Sequence, residues 1–173
     1  MKITYYVASS LDGFIAKEGG DVSWLDELGV SMSDTGYEGF YSTVDALVMG
    51  RKTYEFVVNY GQWPYGDKPV WVCSSRKILP MEGCNLQEGS TPEDVYKTAT
   101  EMNIKHLWCV GGGELASSFM EAKLLTNIYL SLMPVLLGSG IKLFGNLPSD
   151  VMLNKVREKS YASGMVQLEY AIK

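Results

Sequence analysis

A chain of 173 residues, 46% hydrophobic and 20% charged, has the composition of one globular domain with enough apolar mass for a core. The formal net charge of -5, with no long run of Lys and Arg, argues against nucleic acid as the partner, because a phosphate backbone is held by clustered cations. No apolar stretch approaches the roughly 18 residues of a membrane-spanning helix, and Met1-Lys2-Ile3-Thr4 lacks the layout of a signal peptide. The expected setting is therefore the cytoplasm and the expected partner a small molecule.

Lys2 to Ala8 reads as a strand, and Ser9 to Ala16 as an irregular loop followed by a turn at Gly19-Gly20-Asp21. From about Ser33, Tyr37, Phe40, Tyr41 and Val44 recur at helical spacing, with Ser33 or Asp34 available as the N-cap. Ala46 to Met49 is the next strand, Lys52 to Asn59 a helix, and the Gly- and Pro-containing stretch from Tyr60 to Asp67 a loop. Pro69 to Cys73 is again a strand. Thr91-Pro92-Glu93-Asp94 combines a cap residue, a proline at the first helical position and acids in the first turn, which predicts a helix through about Met102. Leu107 to Val110 is a buried strand and Glu114 to Glu121 a helix. Asn127 to Met133 reads as a strand, Gly138 to Gly140 as a loop, and Met152 to Lys173 as an antiparallel hairpin around Ala162-Ser163-Gly164. Strand and helix alternate early and strands alone close the chain, so the expected fold is α/β, with a mostly parallel central sheet and an antiparallel C-terminal hairpin at its edge, in a single domain spanning 1–173.

Three segments follow predicted strands and carry groups suited to an anion. Gly50-Arg51-Lys52-Thr53 opens a helix, whose first N–H groups and partial positive charge favour a phosphate. Gly50 permits close approach, Arg51 offers a planar fork, and Thr53 offers a hydroxyl. The bland alternative is a solvated basic pair at a helix start. Ser74-Ser75-Arg76 adds two hydroxyls and a second guanidinium, although such residues after a strand are often ordinary loop. Val110-Gly111-Gly112-Gly113-Glu114-Leu115 removes three side chains at a strand-to-helix turn, where backbone can lie against a ring or pyrophosphate. Gly111, Gly113 and Ala116 also fit a loose G-x-G-x-x-A fingerprint, but Met133 to Leu137 lacks the acid that the fingerprint expects. Positive groups gathered at strand ends point to the 2′-phosphate that separates NADPH from NADH.

The three cysteines, Cys73, Cys84 and Cys109, are an odd number without close Cys-Cys or Cys-His spacing, so neither a disulfide framework nor a metal site is expected. His106, the single histidine, reads as a structural residue at a strand start.

In their order along the chain, Met49 to Glu55, Ser74-Ser75-Arg76 and the triple glycine resemble the dihydrofolate reductase family. Leu132 to Gly140 with Leu143-Phe144 resembles its branch containing the riboflavin-biosynthesis reductase domain. The similarity spans nearly the whole chain. It implies a three-layer dihydrofolate reductase-like fold and an NADPH-dependent oxidoreductase that passes hydride to a pteridine- or pyrimidine-like heterocycle, as a homodimer. The resemblance places Arg51, Ser74 and Ser75 on the 2′-phosphate with Arg76 nearby, Gly50, Lys52 and Thr53 on the pyrophosphate side, and Val110, Gly111, Gly112, Gly113, Glu114 and Leu115 along pyrophosphate and nicotinamide. Ala8 and Ile15 would pack on the nicotinamide, and Ser10 to Ala16 would be the loop that closes the site. Asp12, Trp24 and Tyr37 are candidates for the substrate; Tyr37, Phe40 and Tyr41 could line a stacking pocket for a flat ring, but residues at helical spacing are more often core.

The acid of that family falls near Asp34, which is equally placed to be an N-cap without chemistry, and Glu38 one turn on is the competitor. Ser23-Trp24 departs from the proline-tryptophan of dihydrofolate reductases. The chain has no His-x-Glu with Pro-Cys-x-x-Cys, which argues against the full bifunctional form that joins a zinc deaminase to the reductase. A nucleotide- or pterin-binding protein without turnover on the same scaffold is the alternative.

Overall fold

The computed structural model describes residues 1–30 and 35–173. Ten strands are described. They are β1 (Lys2–Ser10), β2 (Phe14–Ala16), β3 (Ala46–Gly50), β4 (Pro69–Cys73), β5 (Asn85–Gln87), β6 (His106–Gly111), β7 (Asn127–Met133), β8 (Ile141–Lys142), β9 (Leu153–Ser160) and β10 (Val166–Ile172). The α-helices are α1 (Ser23–Glu27), α2 (Tyr37–Tyr41), α3 (Arg51–Asn59), α4 (Pro92–Glu101) and α5 (Gly113–Glu121). Eight strands form one sheet in the order β5-β4-β3-β6-β1-β7-β10-β9, while β2 and β8 pair separately. From β5 through β7 every pairing is parallel, and β10 then runs antiparallel to both β7 and β9. This is the mostly parallel sheet with an antiparallel hairpin at its edge that the order of elements predicts.

Strands β3 and β4 are almost wholly apolar because side chains on both of their faces are buried. Ala46 and Val48 point into a core with Val95 and Ala99 of α4 and Ala116 and Phe119 of α5. Leu47 and Met49 point the other way, against Phe40 of α2 and Tyr54 and Val57 of α3. Each fully buried side chain of this size contributes roughly 1.5–3 kcal/mol relative to exposure. A smaller cluster of Trp24, Met133 and Met165 closes the end near α1.

Helix α4 begins as expected, with Pro92 at its start and the Thr91 hydroxyl accepting from the Asp94 N–H at 3.1 Å. The helix expected from Ser33 to Val44 is shorter. Its described part stops at Tyr41, after which Thr43 turns its hydroxyl back onto the Phe40 carbonyl at 2.7 Å, the local competition that makes Thr a poor helix interior residue. The residue capping α2 is Gly36, at φ 73°; the alternative caps Ser33 and Asp34 lie outside the described residues. Helix α1 and strands β2, β5 and β8 have no counterpart in the sequence reading, since elements of two to five residues are too short to show a period.

Candidate functional site

The register of three neighbouring strands decides the geometry. Gly50, the last residue of β3, pairs with Cys73, the last of β4, and Met49 pairs with Gly111, the last of β6. The start of α3, the loop after β4 and the start of α5 therefore stand side by side at one end of the sheet, the end where open α/β sheets bind ligands. A Cβ on Gly50 would lie 3.8 Å from the Gly111 carbonyl, and one on Gly112 would lie 3.9 Å from Ile15 Cδ1. The segments 51–53, 74–76 and 111–113 are thus gathered by pairing, and Ile15 joins them from β2 through its approach to Gly112.

The two helix starts differ in what they offer an anion. Helix α3 is capped by Gly50 in an extended conformation with no side-chain cap, and its first turn holds Arg51, Lys52 and Thr53 without an acid. Its opening N–H groups thus meet no side-chain acceptor. Helix α5 is capped by Gly112 but carries Glu114 in its first turn, and a Cβ on Gly145 would meet the Glu114 carboxylate at 2.5 Å. Gly113 is equally crowded: a Cβ there would lie 2.5 Å from the Lys142 carbonyl oxygen and 2.8 Å from that of Leu143. Its missing side chain makes room for the chain's own backbone, with the Gly145 N–H on the Gly113 carbonyl at 3.2 Å. Gly111 differs, at φ 144° with nothing within 4 Å of a would-be Cβ, a conformation open to glycine. Val110 and Leu115 pack into the two apolar layers.

Arg51 gives one nitrogen, Nη1, to Glu55 at 2.5 Å one turn along α3. The guanidinium fork carries five N–H donors, so the pair occupies part of it. Beyond Ser74, which accepts from the Arg76 N–H at 2.9 Å, an open groove of about 750 Å³ is lined by Ser74, Arg76, Lys77, Ile78, Pro80 and Asp94, among others. Arg76 and Lys77 line this groove opposite two acids, Glu88 and Asp94, while Arg51 and Lys52 open the neighbouring helix α3.

The loop expected to close the site is tied to a second loop. Leu11 N–H donates to the Val135 carbonyl at 2.8 Å, Leu143 N–H to the Gly13 carbonyl at 2.9 Å, and β2 pairs with β8. The Asp12 carboxylate accepts from Ser10 Oγ at 2.6 Å, from Leu137 N–H at 3.1 Å and from Gly138 N–H at 2.7 Å. The Ser10 hydroxyl, with the two amides behind it, holds the Asp12 carboxyl below the ordinary carboxylate range.

The remaining candidates separate. Trp24 is buried among Met133, Met165 and Ala8, and its indole N–H has no partner among the described residues. The Trp63 indole N–H and the Ser117 hydroxyl are buried without a partner among the described residues in the same way. Tyr37 stacks on Tyr41 with centroids 5.6 Å apart and meets Trp108 edge-on at 5.8 Å, and burial, with Tyr65 and Tyr41 nearby, pushes its hydroxyl pKa up; it forms part of an aromatic layer. Glu38 is exposed on α2. Asp34 lies outside the described residues. His106 bridges Thr4 Oγ1 at 2.9 Å and Thr43 at 3.1 Å; burial, then Lys2, lowers its pKa, which fits a structural residue. Among the described residues no group of three or more His, Cys, Asp and Glu could hold a metal ion, and no helix is long and apolar enough to cross a membrane.

Beside Asp34 in sequence, Thr35 reveals a network that the sequence reading missed. Its carbonyl accepts from Gln167 Nε2 at 3.2 Å, Tyr161 Oη at 3.3 Å and Tyr6 Oη at 3.4 Å, and Gln167 also reaches Ser131 Oγ at 3.4 Å. Alternation in Val166-Gln167-Leu168-Glu169-Tyr170 suggests that Gln167 faces solvent, yet it is 7% exposed. Glu169, two residues on, is also buried and is gripped by Arg157, whose Nε donates to it at 2.8 Å; neither partner is visible in the sequence.

The mostly parallel sheet with its antiparallel terminal hairpin is the dihydrofolate reductase-like fold. The chain belongs to the family of the RibD C-terminal domain, matched over residues 1–167. It is 36% identical over 98% of its length to the uncharacterized protein YwjB of Bacillus subtilis, covering 97% of that protein. A protein of Shewanella sp. PV-4, assigned by name to riboflavin biosynthesis, is 30% identical with a TM-score of 0.88, over 100% of this chain and 99% of that one. Dihydrofolate reductase from Enterococcus faecalis, in complex with NADP(H) and RAB-propyl, shares the fold at 17% identity and a TM-score of 0.66, over 99% and 96% of the two chains.

One pH dependence follows from Asp12. A carboxyl whose folded pKa lies below its unfolded one contributes fully above the unfolded value, roughly 3.9, and ceases to contribute as pH falls through the folded value. The clasp on the 137–138 backbone is therefore present near neutrality and released in acid. Amide exchange at Leu137 and Gly138, referred to the core strand amide of Cys109, should accelerate below about pH 4, and Asp12→Asn should show the fast rate at neutral pH. Equal exchange in both proteins at neutral pH would remove Asp12 from the clasp.

Proposed function

We propose that the protein is an NADPH-dependent reductase that transfers hydride to a pteridine- or pyrimidine-like heterocycle. The observation that carries this reading is the convergence, at one end of the sheet, of the α3 start with its uncapped N–H groups, the Ser74-Ser75-Arg76 loop and the Gly111-Gly112 turn with Ile15 over it. Membership of a reductase-like family supports it. The residues present fit the coenzyme: a helix start without an acid suits a pyrophosphate, and two guanidiniums near two serine hydroxyls suit a phosphate dianion. Glu114 at the start of α5 makes α3 the better anion site of the two.

In this reading Arg51, Ser74 and Ser75 hold the 2′-phosphate, with Arg76 beside them, and Gly50, Lys52 and Thr53 meet the pyrophosphate. Gly111, Gly112, Ala8 and Ile15 face the nicotinamide. The coenzyme supplies the hydride when bound. The chain's own part is to orient the two reactants, to exclude water with the Leu11 to Ala16 loop, and to hold a donor near the substrate ring. The Trp24 indole N–H supplies one hydrogen bond, and Asp34, with Glu38 as its rival, supplies the proton. The Tyr6–Gln167–Tyr161 network holds the Thr35 carbonyl next to Asp34 in sequence.

Arg51→Ala should weaken NADPH binding by about 1.5–3 kcal/mol, the size of a charge-assisted hydrogen bond, and NADH binding far less. Equal losses measured by calorimetry would refute the phosphate assignment. Asp34→Asn should lower turnover and leave NADPH affinity nearly unchanged; full activity would remove Asp34 from the chemistry. Both assays need a substrate, found by anaerobic mixing with NADPH over a panel of dihydropterins, pyrimidines and small carbonyls. Binding without oxidation across the panel would favour a coenzyme-binding protein without turnover.

The same reading makes the protein a homodimer. What supports this is the outer strand β9, exposed at all eight positions, with exposed Leu153 and Val156 in it and exposed Met152 just before it, an edge that a lone chain would leave open to pairing. Sedimentation should give a two-chain species at micromolar concentration; a single-chain species there would sink the dimer.

A further inference from the structure

We propose that Tyr54 is a positioning residue that couples the two phosphate-facing segments and thereby sets the preference for a coenzyme carrying a 2′-phosphate. The inference rests on the reading above. The segment 74–84, between β4 and β5, belongs to no helix or strand, yet it carries Ser74, Ser75, Arg76 and Lys77. Such a loop holds side chains in register only where something fixes its backbone.

That something is the Tyr54 hydroxyl. It donates to the Leu79 carbonyl at 2.9 Å and accepts from the Met81 N–H at 2.8 Å, while its ring, 4% exposed, is wedged against Trp63. Tyr54 stands three residues after Arg51 on α3, one turn along the same helix. One rigid nine-residue helix thus presents Arg51, Lys52 and Thr53 at its start and grips the opposing loop a turn later. Within the loop, Met81 accepts from the Cys84 N–H at 3.0 Å and Ser74 Oγ from the Arg76 N–H at 2.9 Å; the Cys84 thiol also bonds the Tyr54 hydroxyl, and Ile78, Met81 and Cys84 pack beside Tyr54 and Val57 of α3, so Tyr54 is the polar centre of the attachment. Without the hydroxyl, the part-buried Leu79–Met81 attachment is lost, and the cations at 76 and 77 lose their fixed distance from Arg51. Both segments face the phosphate, so a coenzyme lacking that group does not feel the change.

The test compares wild type, Tyr54→Phe and Arg51→Ala by calorimetry with NADPH, NADH and 2′,5′-ADP, together with trypsin cleavage after Arg76 and Lys77. Tyr54→Phe should weaken NADPH and 2′,5′-ADP roughly tenfold, the scale of one to two lost hydrogen bonds. NADH should change by less than about twofold on the same scale, and cleavage at 76–77 should speed up with global melting little altered. A merely structural tyrosine would lower all three affinities together. If Arg51→Ala loses the NADPH preference while Tyr54→Phe keeps it, the positioning role is overturned and the phosphate assignment stands. If wild type itself binds NADPH and NADH equally, that assignment fails and takes this inference with it. Should Tyr54→Phe not fold, the Met81 amide of the wild-type protein serves instead: its hydrogen exchange must slow when 2′,5′-ADP binds, and an unchanged rate overturns the coupling.

Discussion

The site depends on one alignment: β4, β3 and β6 are parallel neighbours whose last residues pair, Cys73 with Gly50 and Met49 with Gly111. In a parallel sheet every strand reverses polarity through a helix or loop at the same end, so whatever follows each strand is delivered to a common rim. Segments some 25 to 60 positions apart in the chain become neighbours without any contact between their side chains. The apolar runs of these strands, buried on both faces, hold the rim rigid.

Around that rim, loops are fastened by a few polar contacts to backbone. Tyr54 holds 79–81, Asp12 holds 137–138, and the bare Cα of Gly113 lets 142–145 lie against α5. The pattern is economical in buried groups, because each fastener satisfies main-chain donors or acceptors that a loop would otherwise leave to water. It also separates two uses of glycine in one motif. Gly113 serves the packing of the protein on itself, whereas Gly111 and Gly112 keep the strand end open toward Ile15.

On the face beneath α2 the sheet is unusually polar and aromatic. Tyr6 stacks on Phe40 with centroids 4.4 Å apart, and Gln167, Ser131 and the hydroxyl of Tyr6 form the floor below the Thr35 carbonyl. Burial raises the Tyr6 pKa while its hydrogen bonds to Thr35, Ser131 and Gln167 oppose that rise, so the hydroxyl stays protonated and able to donate. A buried network of this kind fixes one arrangement of the chain beside it, since each unmade bond would cost about 1–3 kcal/mol.

Much of this was legible beforehand. The strands at 69–73 and 127–133, the cap at Thr91 and the parallel sheet with its terminal hairpin follow from apolar runs, cap chemistry and element order, which are local properties that a chain carries whatever it packs against. The anion-suited residues were legible for the same reason, as residue types after strands. The roles of Gln167 and Tyr54 were not, because a side chain's partner across 25 to 161 positions is set by register and by which face a helix covers. Residue chemistry alone determined what this protein could bind with; the parallel pairing of β4, β3 and β6 decided that those groups would meet, because only the sheet converts sequence distance into a fixed spacing between neighbouring strand ends.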